Sequence, residues 1–253
     1  MISSKLINRT LNYFDSFSNH NIVVNPSLPI LYFGNLTAYE KSNLKIITVG
    51  KNPSKNEFKL HKNDVYSFIR FPKWEEKQRN LIESLNPYFE EKPLKNWFAS
   101  FEPILNGLSA SYYGNAKNTA LHTDICSPLA TDPTWSNLSQ NEQNTLSKEG
   151  SEIWEQLIDE LKPDVMLISI PFSLFRKHFS SKPKELVTFT HKKDGRPRMQ
   201  EYIVETYKYT LGNKNVTIVF GKAANKPFDT ICNERKNIIG ERALERIRLK
   251  KHT

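Results

Sequence analysis

The chain has 253 residues, and its 36 Lys and Arg against 27 Asp and Glu give a formal net charge of +9. Its two cysteines, Cys126 and Cys232, exclude a disulfide framework and a four-cysteine zinc or iron–sulfur site built from this chain alone. The sequence shows neither a signal-peptide pattern nor an apolar run of about 18 residues. We therefore expect a cytoplasmic protein that contacts no membrane and needs no metal or cofactor.

The basic excess is concentrated in two segments. Residues 176–198 contain eight basic and two acidic side chains, and residues 233–253 contain seven and three. Such segments favour a polyanionic partner such as DNA, although a solvated basic surface has the same composition.

Apolar patterns alternate along the chain between helical and strand periodicity. Helices are predicted at residues 5–17, 73–85, 94–108 and 139–161, with a basic C-terminal helix at about 233–250; strands are predicted at 44–49, 118–123, 164–170 and 216–220. This order predicts an α/β fold, a three-layer α/β/α arrangement around a central, mostly parallel four-stranded sheet. Residues 185–210 predict an inserted basic β-hairpin that turns at Asp194-Gly195. We expect one domain, residues 1–253, and a monomer.

Polar side chains and tight turns follow the predicted strands. The first strand runs into Gly50-Lys51-Asn52-Pro53-Ser54, and the second ends in His122-Thr123-Asp124. Because the carboxyl ends of parallel strands meet at one edge of a sheet, where α/β proteins bind ligands, we expect a functional site there. An Asn-Pro pair is also a common turn initiator, so this turn alone has a purely structural interpretation.

Three motifs at these strand ends resemble those of the uracil-DNA glycosylase superfamily, over residues 46–228. Residues 50–54 are similar to the first motif in the Gly-x-Asn-Pro form of the single-strand-selective and mismatch-specific branches, where the Asn holds the hydrolytic water. Residues 123–129, Thr-Asp-Ile-Cys-Ser-Pro-Leu, resemble the Asn-Leu-Cys-Pro-Leu segment of the single-strand-selective enzymes. Residues 223–227, Ala-Ala-Asn-Lys-Pro, resemble the Ala-Ala-His-Pro-Ser-Pro motif that begins the duplex-invading loop. The resemblance implies that Asn52 and Asn225 are catalytic.

Two departures from the family concern the choice of base. The classical uracil enzymes close the pocket at C5 of the pyrimidine with a Tyr after the motif Pro, whereas Ser54 leaves room there. Asp124 lies where the family reads uracil with an Asn. A carboxylate accepts from the N4 amine of cytosine, and a buried, protonated Asp124 would also donate to N3. Alternatively, Asp124 caps the turn at Ser127 and Pro128.

The remaining candidates are assigned by their order along the chain. Asn225 replaces the motif His, and an amide still donates a hydrogen bond to O2 of the leaving base. Phe68 and Phe58 are candidates for the aromatic wall on which the base stacks, or for core packing. The predicted DNA-binding set consists of the wedge Phe228 and the cations Lys51, Lys226, Lys192, Lys193 and Arg196.

Together these features predict a monofunctional DNA glycosylase that flips and excises a modified pyrimidine and leaves an abasic site. Unmodified cytosine is excluded as the target because its removal would destroy the host genome. The hydroxymethylated or glucosylated cytosine of phage DNA meets the requirement, and the chain resembles the phage-defence branch of the superfamily in this respect. Two alternatives stay open, which are repair of uracil or oxidised pyrimidines and a non-catalytic nucleic-acid-binding relative.

Overall fold

The computed structural model describes residues 2–61, 67–222 and 226–249. The chain divides into two compact units, each formed from three segments. The first unit comprises Met1–Glu40, Gly50–Leu94 and Leu121–Lys162, and the second comprises Lys41–Val49, Lys95–Ala120 and Pro163–Thr253.

The described residues form a single mixed sheet. Its seven strands are β1 Ile46–Gly50, β2 Ala110–Ser111, β3 Asn118–Asp124, β4 Val165–Ile168, β5 Lys184–His191, β6 Pro197–Leu211 and β7 Lys214–Phe220. Their order is β2-β3-β1-β4-β7-β6-β5. The β2–β3, β1–β4 and β4–β7 pairs are parallel, and the β5–β6 and β6–β7 pairs are antiparallel. The predicted α/β class is thereby confirmed.

The strands β1 and β4 consist of continuous apolar runs because they are covered on both faces. Every residue of Ile46–Gly50 and of Val165–Ile168 is buried. Their parallel register pairs Ile46 with Val165 and Val49 with Ile168. Burial on both faces is typical of parallel strands in α/β proteins, so these runs show no polar alternation.

The predicted hairpin is present and extends the sheet. It pairs β5 with β6, with Phe189 opposite Tyr202, and β6 continues along β7 with Tyr207 opposite Ile218. The turn includes Gly195 at φ +81°, a backbone conformation that favours glycine. The hairpin therefore forms one edge of the sheet, and four of the eight residues of β5 are exposed.

Eight α-helices occur in the part of the chain that the structure describes. They are α1 Ser4–Phe17, α2 Leu36–Lys41, α3 Leu81–Leu85, α4 Lys95–Phe98, α5 Glu102–Gly107, α6 Gln140–Leu161, α7 Phe172–His178 and α8 Asn233–Leu249. Caps define the two long helices of the first unit. Ser3 Oγ accepts from Leu6 N at the start of α1, and Ser139 and Glu142 form a capping box at the start of α6. Within the described residues, no helix is both long and apolar enough to cross a bilayer.

Two predicted helices are shorter than the sequence pattern indicates. Only Leu81–Leu85 of the predicted helix 73–85 forms, because the Asn80 side chain accepts from Glu75 N and donates to Lys73 O, and these bonds hold the preceding residues in turns. The predicted helix 94–108 is divided into α4 and α5. Pro103 lies in the first turn of α5, where its missing N–H costs least, so a new helix begins there.

Candidate functional site

The candidate site lies in the first unit, where the turn after β1 and the loop after β3 run side by side. Ile125 N donates to Gly50 O at 3.1 Å, and Cys126 N donates to Lys51 O at 2.8 Å. These two backbone bonds extend the strand pairing beyond the sheet. They bring the Gly-x-Asn-Pro turn next to Asp124, the last residue of β3.

The helices α1 and α6 hold the loop after β3 in place. Tyr13 OH donates to Leu146 O at 2.7 Å and lies 3.2 Å from Ser127 Oγ. Gly150 of α6 packs directly against this loop, and a Cβ at that position would clash with Cys126 O and lie 2.9 Å from Ser127 Cα. The loop backbone is therefore fixed from two sides.

The Asn52 side chain is held in one orientation by hydrogen bonds. Its Nδ2 donates to Leu129 O and to Thr131 Oγ1, each at 3.1 Å. Both amide hydrogens are committed by these contacts, and among the described residues Oδ1 accepts no hydrogen bond. Asn52 is half-buried, so its oxygen can accept a hydrogen bond from water or a ligand.

The neighbours of Asn52 in the turn have separate roles. Lys51 Nζ donates to Ser136 Oγ at 2.5 Å, and burial lowers the pKa of Lys51. Ser54 is exposed, and its Oγ accepts from Asn56 N at 3.2 Å, which caps the 3₁₀ helix Lys55–Phe58. The phosphate contact of Lys51 and the space that Ser54 leaves over a base stay predictions.

Asp124 and His122 form a buried polar pair at the end of β3. Their side chains are 4% and 2% exposed, and His122 Nε2 lies 3.6 Å from Asp124 Oδ1. A Cβ at Gly50 would clash with Asp124 Oδ1 and lie 3.0 Å from His122 Nε2. The Gly of the first motif is required because these two side chains pack against its backbone. The Ser127 hydroxyl accepts a hydrogen bond from Leu129 N at 3.1 Å, so the side chain of Ser127 itself closes the turn after β3.

Sequence reasoning missed a second buried carboxyl group, Glu57, which is 3% exposed. Tyr88 OH donates to Glu57 Oε2 at 2.8 Å, and Arg70 Nε lies 3.6 Å from the same oxygen. Burial, aided by the charge of Asp124, raises the pKa of Glu57 to about 8, although Tyr88 and Arg70 act in the opposite direction. The spacing Ser54-x-x-Glu57 matches an exposed helix cap, so the sequence carries little sign of this burial.

An aromatic cluster lies around these carboxyl groups. Phe58 and Phe68 meet edge to face at 5.5 Å between ring centroids, and both are buried. Further ring contacts connect Phe58 to Phe71, Phe71 to Tyr88, Tyr88 to Phe33, and Phe33 to His122, at 4.7 to 5.8 Å. Phe58 and Phe68 therefore pack in the core of the first unit, and their stacking on a base stays a prediction.

In the second unit, the structure corrects one of the predicted roles. Phe228 is 0% exposed, its ring packs against Phe101 at 6.1 Å, and its N–H donates to Ser169 Oγ at 2.9 Å. A wedge that enters DNA must be exposed, so the prediction for Phe228 is wrong. Lys226 is exposed. The predicted catalytic residue Asn225 lies outside the described residues.

The predicted cations of the hairpin are exposed, and two of them have carboxylate partners. Lys193 Nζ lies 2.9 Å from Glu234 Oε1, and Arg196 lies 2.5 Å from Asp194 Oδ2. The hydrogen bond from Lys193 lowers the pKa of Glu234 to about 2. Lys192 is exposed and its carbonyl accepts from Arg235 Nη2 at 3.1 Å. The hairpin therefore presents cations whose charge is partly neutralised by their own surroundings.

The arrangement in the first unit can orient a water through Asn52 and read a polar ligand edge through buried carboxyl groups. Across the described ranges, no group of three or more His, Cys, Asp or Glu side chains is placed to hold a metal ion. No protein-family model matches the chain, and a search of curated proteins finds no match either.

Proposed function

We propose that this protein is a monofunctional DNA glycosylase that flips a 5-substituted cytosine out of DNA, hydrolyses its N-glycosidic bond and leaves an abasic site. The observation that carries the proposal is the fixed orientation of Asn52 beside Asp124. The Asn52 amide nitrogen is bound by Leu129 O and Thr131 Oγ1, so its oxygen is the group available to a ligand. The adjacent strand end supplies a buried carboxyl group for recognition of a base.

In the proposed reaction, a water oxygen forms a bond to C1′ while the bond from C1′ to the base nitrogen breaks. The departing base keeps the bonding electron pair. The water loses a proton as its oxygen becomes the sugar hydroxyl, and this proton neutralises the departing base. Asn52 Oδ1 accepts a hydrogen bond from this water and directs it at C1′, which lowers the entropic part of the barrier. No lysine nucleophile takes part, so the DNA strand is not cut.

Base selection in this proposal depends on Asp124 and Ser54. The target nucleotide must leave the stack, since C1′ is out of reach in a duplex. Asp124 accepts from the N4 amine of a cytosine-type base, whereas the O4 of uracil would face it as a second acceptor. Ser54 leaves room for the C5 substituent, and Asn225 donates to O2 of the leaving base.

The proposal extends to the fold and the biological setting. We propose that β3, β1, β4 and β7 form a mostly parallel four-stranded core of the uracil-DNA glycosylase kind. The parallel β1–β4 and β4–β7 pairs support this arrangement. We further propose a cytoplasmic monomer that acts on modified phage DNA.

A panel of DNA substrates tests the function directly. Oligonucleotides that contain uracil, a thymine mismatch, 5-hydroxymethylcytosine or its glucoside are incubated with the protein, in single-stranded and duplex form. Released bases are identified by mass spectrometry, and abasic sites are detected as alkali-sensitive breaks. We expect release of modified cytosine alone. Efficient removal of uracil with no action on modified cytosine would indicate a repair enzyme, and DNA binding without any abasic site would indicate a non-catalytic relative.

Asp124→Asn tests the proposed base reading. An amide at position 124 can satisfy both O4 and N3 of uracil, so this variant should lose activity on modified cytosine and gain uracil excision. Asp132→Asn is the matched control, because Asp132 lies in the same unit, is exposed and pairs with Lys55 at 2.9 Å. Equal base preference in the wild-type protein and in Asp124→Asn would exclude the proposed role.

A further inference from the structure

Glu57 is an unusual residue because a carboxyl group is buried with little neutralising charge. Its nearest cation is Arg70, whose Nε lies 3.6 Å away and donates no hydrogen bond among the described residues. Arg70 Nη1 instead donates to Asn56 O at 3.0 Å. Among the described residues, the one hydrogen bond to the Glu57 carboxyl group comes from Tyr88 OH, which itself accepts from Leu94 N at 3.1 Å.

The balance of burial and neighbouring charge favours the neutral form of Glu57 near pH 7. Desolvation is the main cause of its raised pKa of about 8, and the negative charge of Asp124 adds to it. The Tyr88 hydroxyl and the Arg70 guanidinium act in the opposite direction without cancelling the effect of burial. Beyond Asp124 lies His122, whose Nε2 is 3.6 Å from the Asp124 carboxylate. Glu57 therefore holds a proton in the folded protein near pH 7.

A neutral carboxyl group is a hydrogen-bond donor as well as an acceptor. Glu57 Oε2 is occupied by the Tyr88 hydroxyl, and across the described residues Oε1 takes part in no hydrogen bond. A proton on Oε1 would therefore be a donor that no protein group among the described residues uses, and that a ligand could accept. Glu57 lies three residues after Ser54, in the 3₁₀ helix that follows the Gly-x-Asn-Pro turn. A base read by Asp124 would supply such an acceptor in the same part of the first unit.

We propose that Glu57 is a second residue that reads the base. As a neutral carboxylic acid it donates a hydrogen bond to N3 of the cytosine-type base, while Asp124 binds the N4 amine of the same base. This inference rests on the proposed function. The pair then presents one acceptor and one donor in the order that cytosine requires. Uracil presents the opposite order, an acceptor at O4 and a donor at N3. Glu57 therefore contributes to specificity through the Watson–Crick edge and not through the C5 substituent.

Two substrates that differ only at the Watson–Crick edge isolate this role. The first contains 5-hydroxymethylcytosine and the second 5-hydroxymethyluracil at the same position, each also as its glucoside. Single-turnover excision is measured between pH 6 and 10 for the wild type, Glu57→Gln and Glu57→Leu, with circular dichroism at each pH to confirm folding. Glu102→Gln is the matched control, since burial also raises the pKa of Glu102, which lies in the second unit and accepts from Ser111.

We expect three results if Glu57 reads the base. Wild-type excision of the cytosine substrate falls about tenfold per pH unit above the pKa of Glu57, and Glu57→Gln, which keeps a donor at every pH, removes this fall. Glu57→Leu lowers excision of the cytosine substrate by about tenfold to hundredfold, the cost of one unmade buried hydrogen bond, with little effect on the uracil substrate. Glu102→Gln behaves as the wild type.

Other results would overturn the inference in distinguishable ways. If Glu57→Leu slows both substrates equally, or if Glu57→Gln keeps the alkaline fall, Glu57 has a structural role only and the proposed function stands. If the wild-type protein excises neither base nor its glucoside at any pH, while it still binds the oligonucleotides, the proposed function itself fails and the inference fails with it.

Discussion

The two units use charge in opposite ways. In the first unit the side chains of Asp124, His122 and Glu57 are nearly completely buried, so these polar groups interact through a medium of low dielectric constant. In the second unit the cations of the hairpin are exposed, and the side chains of Lys193 and Glu234 are 72% and 65% accessible. Water and salt screen such groups at distances beyond about 10 Å. In the proposed function, the buried groups therefore distinguish one base edge from another, whereas the exposed cations only attract the polyanion.

The largest effect is expected from Asn52→Ala, which tests whether the buried site of the first unit carries out the proposed reaction. Without the amide, the attacking water would lose its fixed partner, and misplacement of a reacting group by about 1 Å can cost about 10²-fold in rate. We expect the single-turnover rate on modified cytosine to fall by this factor, while the Kd for DNA, measured by fluorescence anisotropy, changes little.

Asn56→Ala is the matched control for Asn52→Ala. Asn56 is an exposed asparagine four residues later, in the 3₁₀ helix that follows the turn. A normal rate for Asn52→Ala, or an equal loss in both variants, would contradict the role of Asn52 in holding water.

A second prediction concerns how the burial of Glu57 makes the free energy of unfolding depend on pH. This prediction does not depend on the protein's activity. The pKa of Glu57 is about 8 in the folded chain against an ordinary value of 4.5. Between these values the folded chain keeps a proton that the unfolded chain has lost. The contribution of Glu57 is therefore complete below about pH 4.5 and falls by up to about 1.4 kcal/mol per pH unit until about pH 8.

Glu57→Gln removes this titration without a change in side-chain size. We expect the free energy of unfolding, measured with urea at pH 5.5, 6.5 and 7.5, to decline less steeply with pH in Glu57→Gln than in the wild type. The variant should also be the more stable protein at pH 7.5. Parallel pH profiles would show that Glu57 is not buried as a neutral acid.

The sequence predicts the fold better than it predicts the site. The four predicted strands form because their apolar runs fit positions buried on both faces, and α1 and α6 begin at residues with capping side chains. The predicted helix 73–85 is too long because Asn80 supplies alternative hydrogen bonds to the backbone, which periodicity does not reveal.

Within the site, polar residues at strand ends are predictable, but burial of residues between strands is not. Asn52 lies two residues after the end of β1 and Asp124 is the last residue of β3, so topology alone predicts their proximity. Glu57 lies in a one-turn 3₁₀ helix and Phe228 in a turn, where order along the chain does not indicate whether a side chain faces solvent. The sequence therefore missed a buried Glu57 and predicted an exposed Phe228.

The smallest effects are expected at the exposed cations, where a pair of opposite variants sharpens the comparison. If Lys193 contacts a phosphate as proposed, Lys193→Gln should weaken DNA binding a few-fold and reduce the slope of log K against log salt by about one. Glu234→Gln should have the opposite effect on affinity. Glu234 holds Lys193 at 2.9 Å, and its pKa of about 2 keeps it ionised at every working pH.

Both variants should leave the excision rate of bound DNA unchanged, because screened surface charge acts on encounter and not on the reacting atoms. Titration of fluorescent DNA at several salt concentrations, followed by single-turnover excision at saturating protein, separates the two quantities. If both variants weaken binding, the Lys193–Glu234 ion pair stabilises the hairpin. Lys193 then has a structural role and does not bind DNA. If either variant changes the excision rate at saturation, the hairpin acts on the chemical step. The view that buried groups of the first unit select the base while exposed cations of the hairpin only attract DNA would then be wrong.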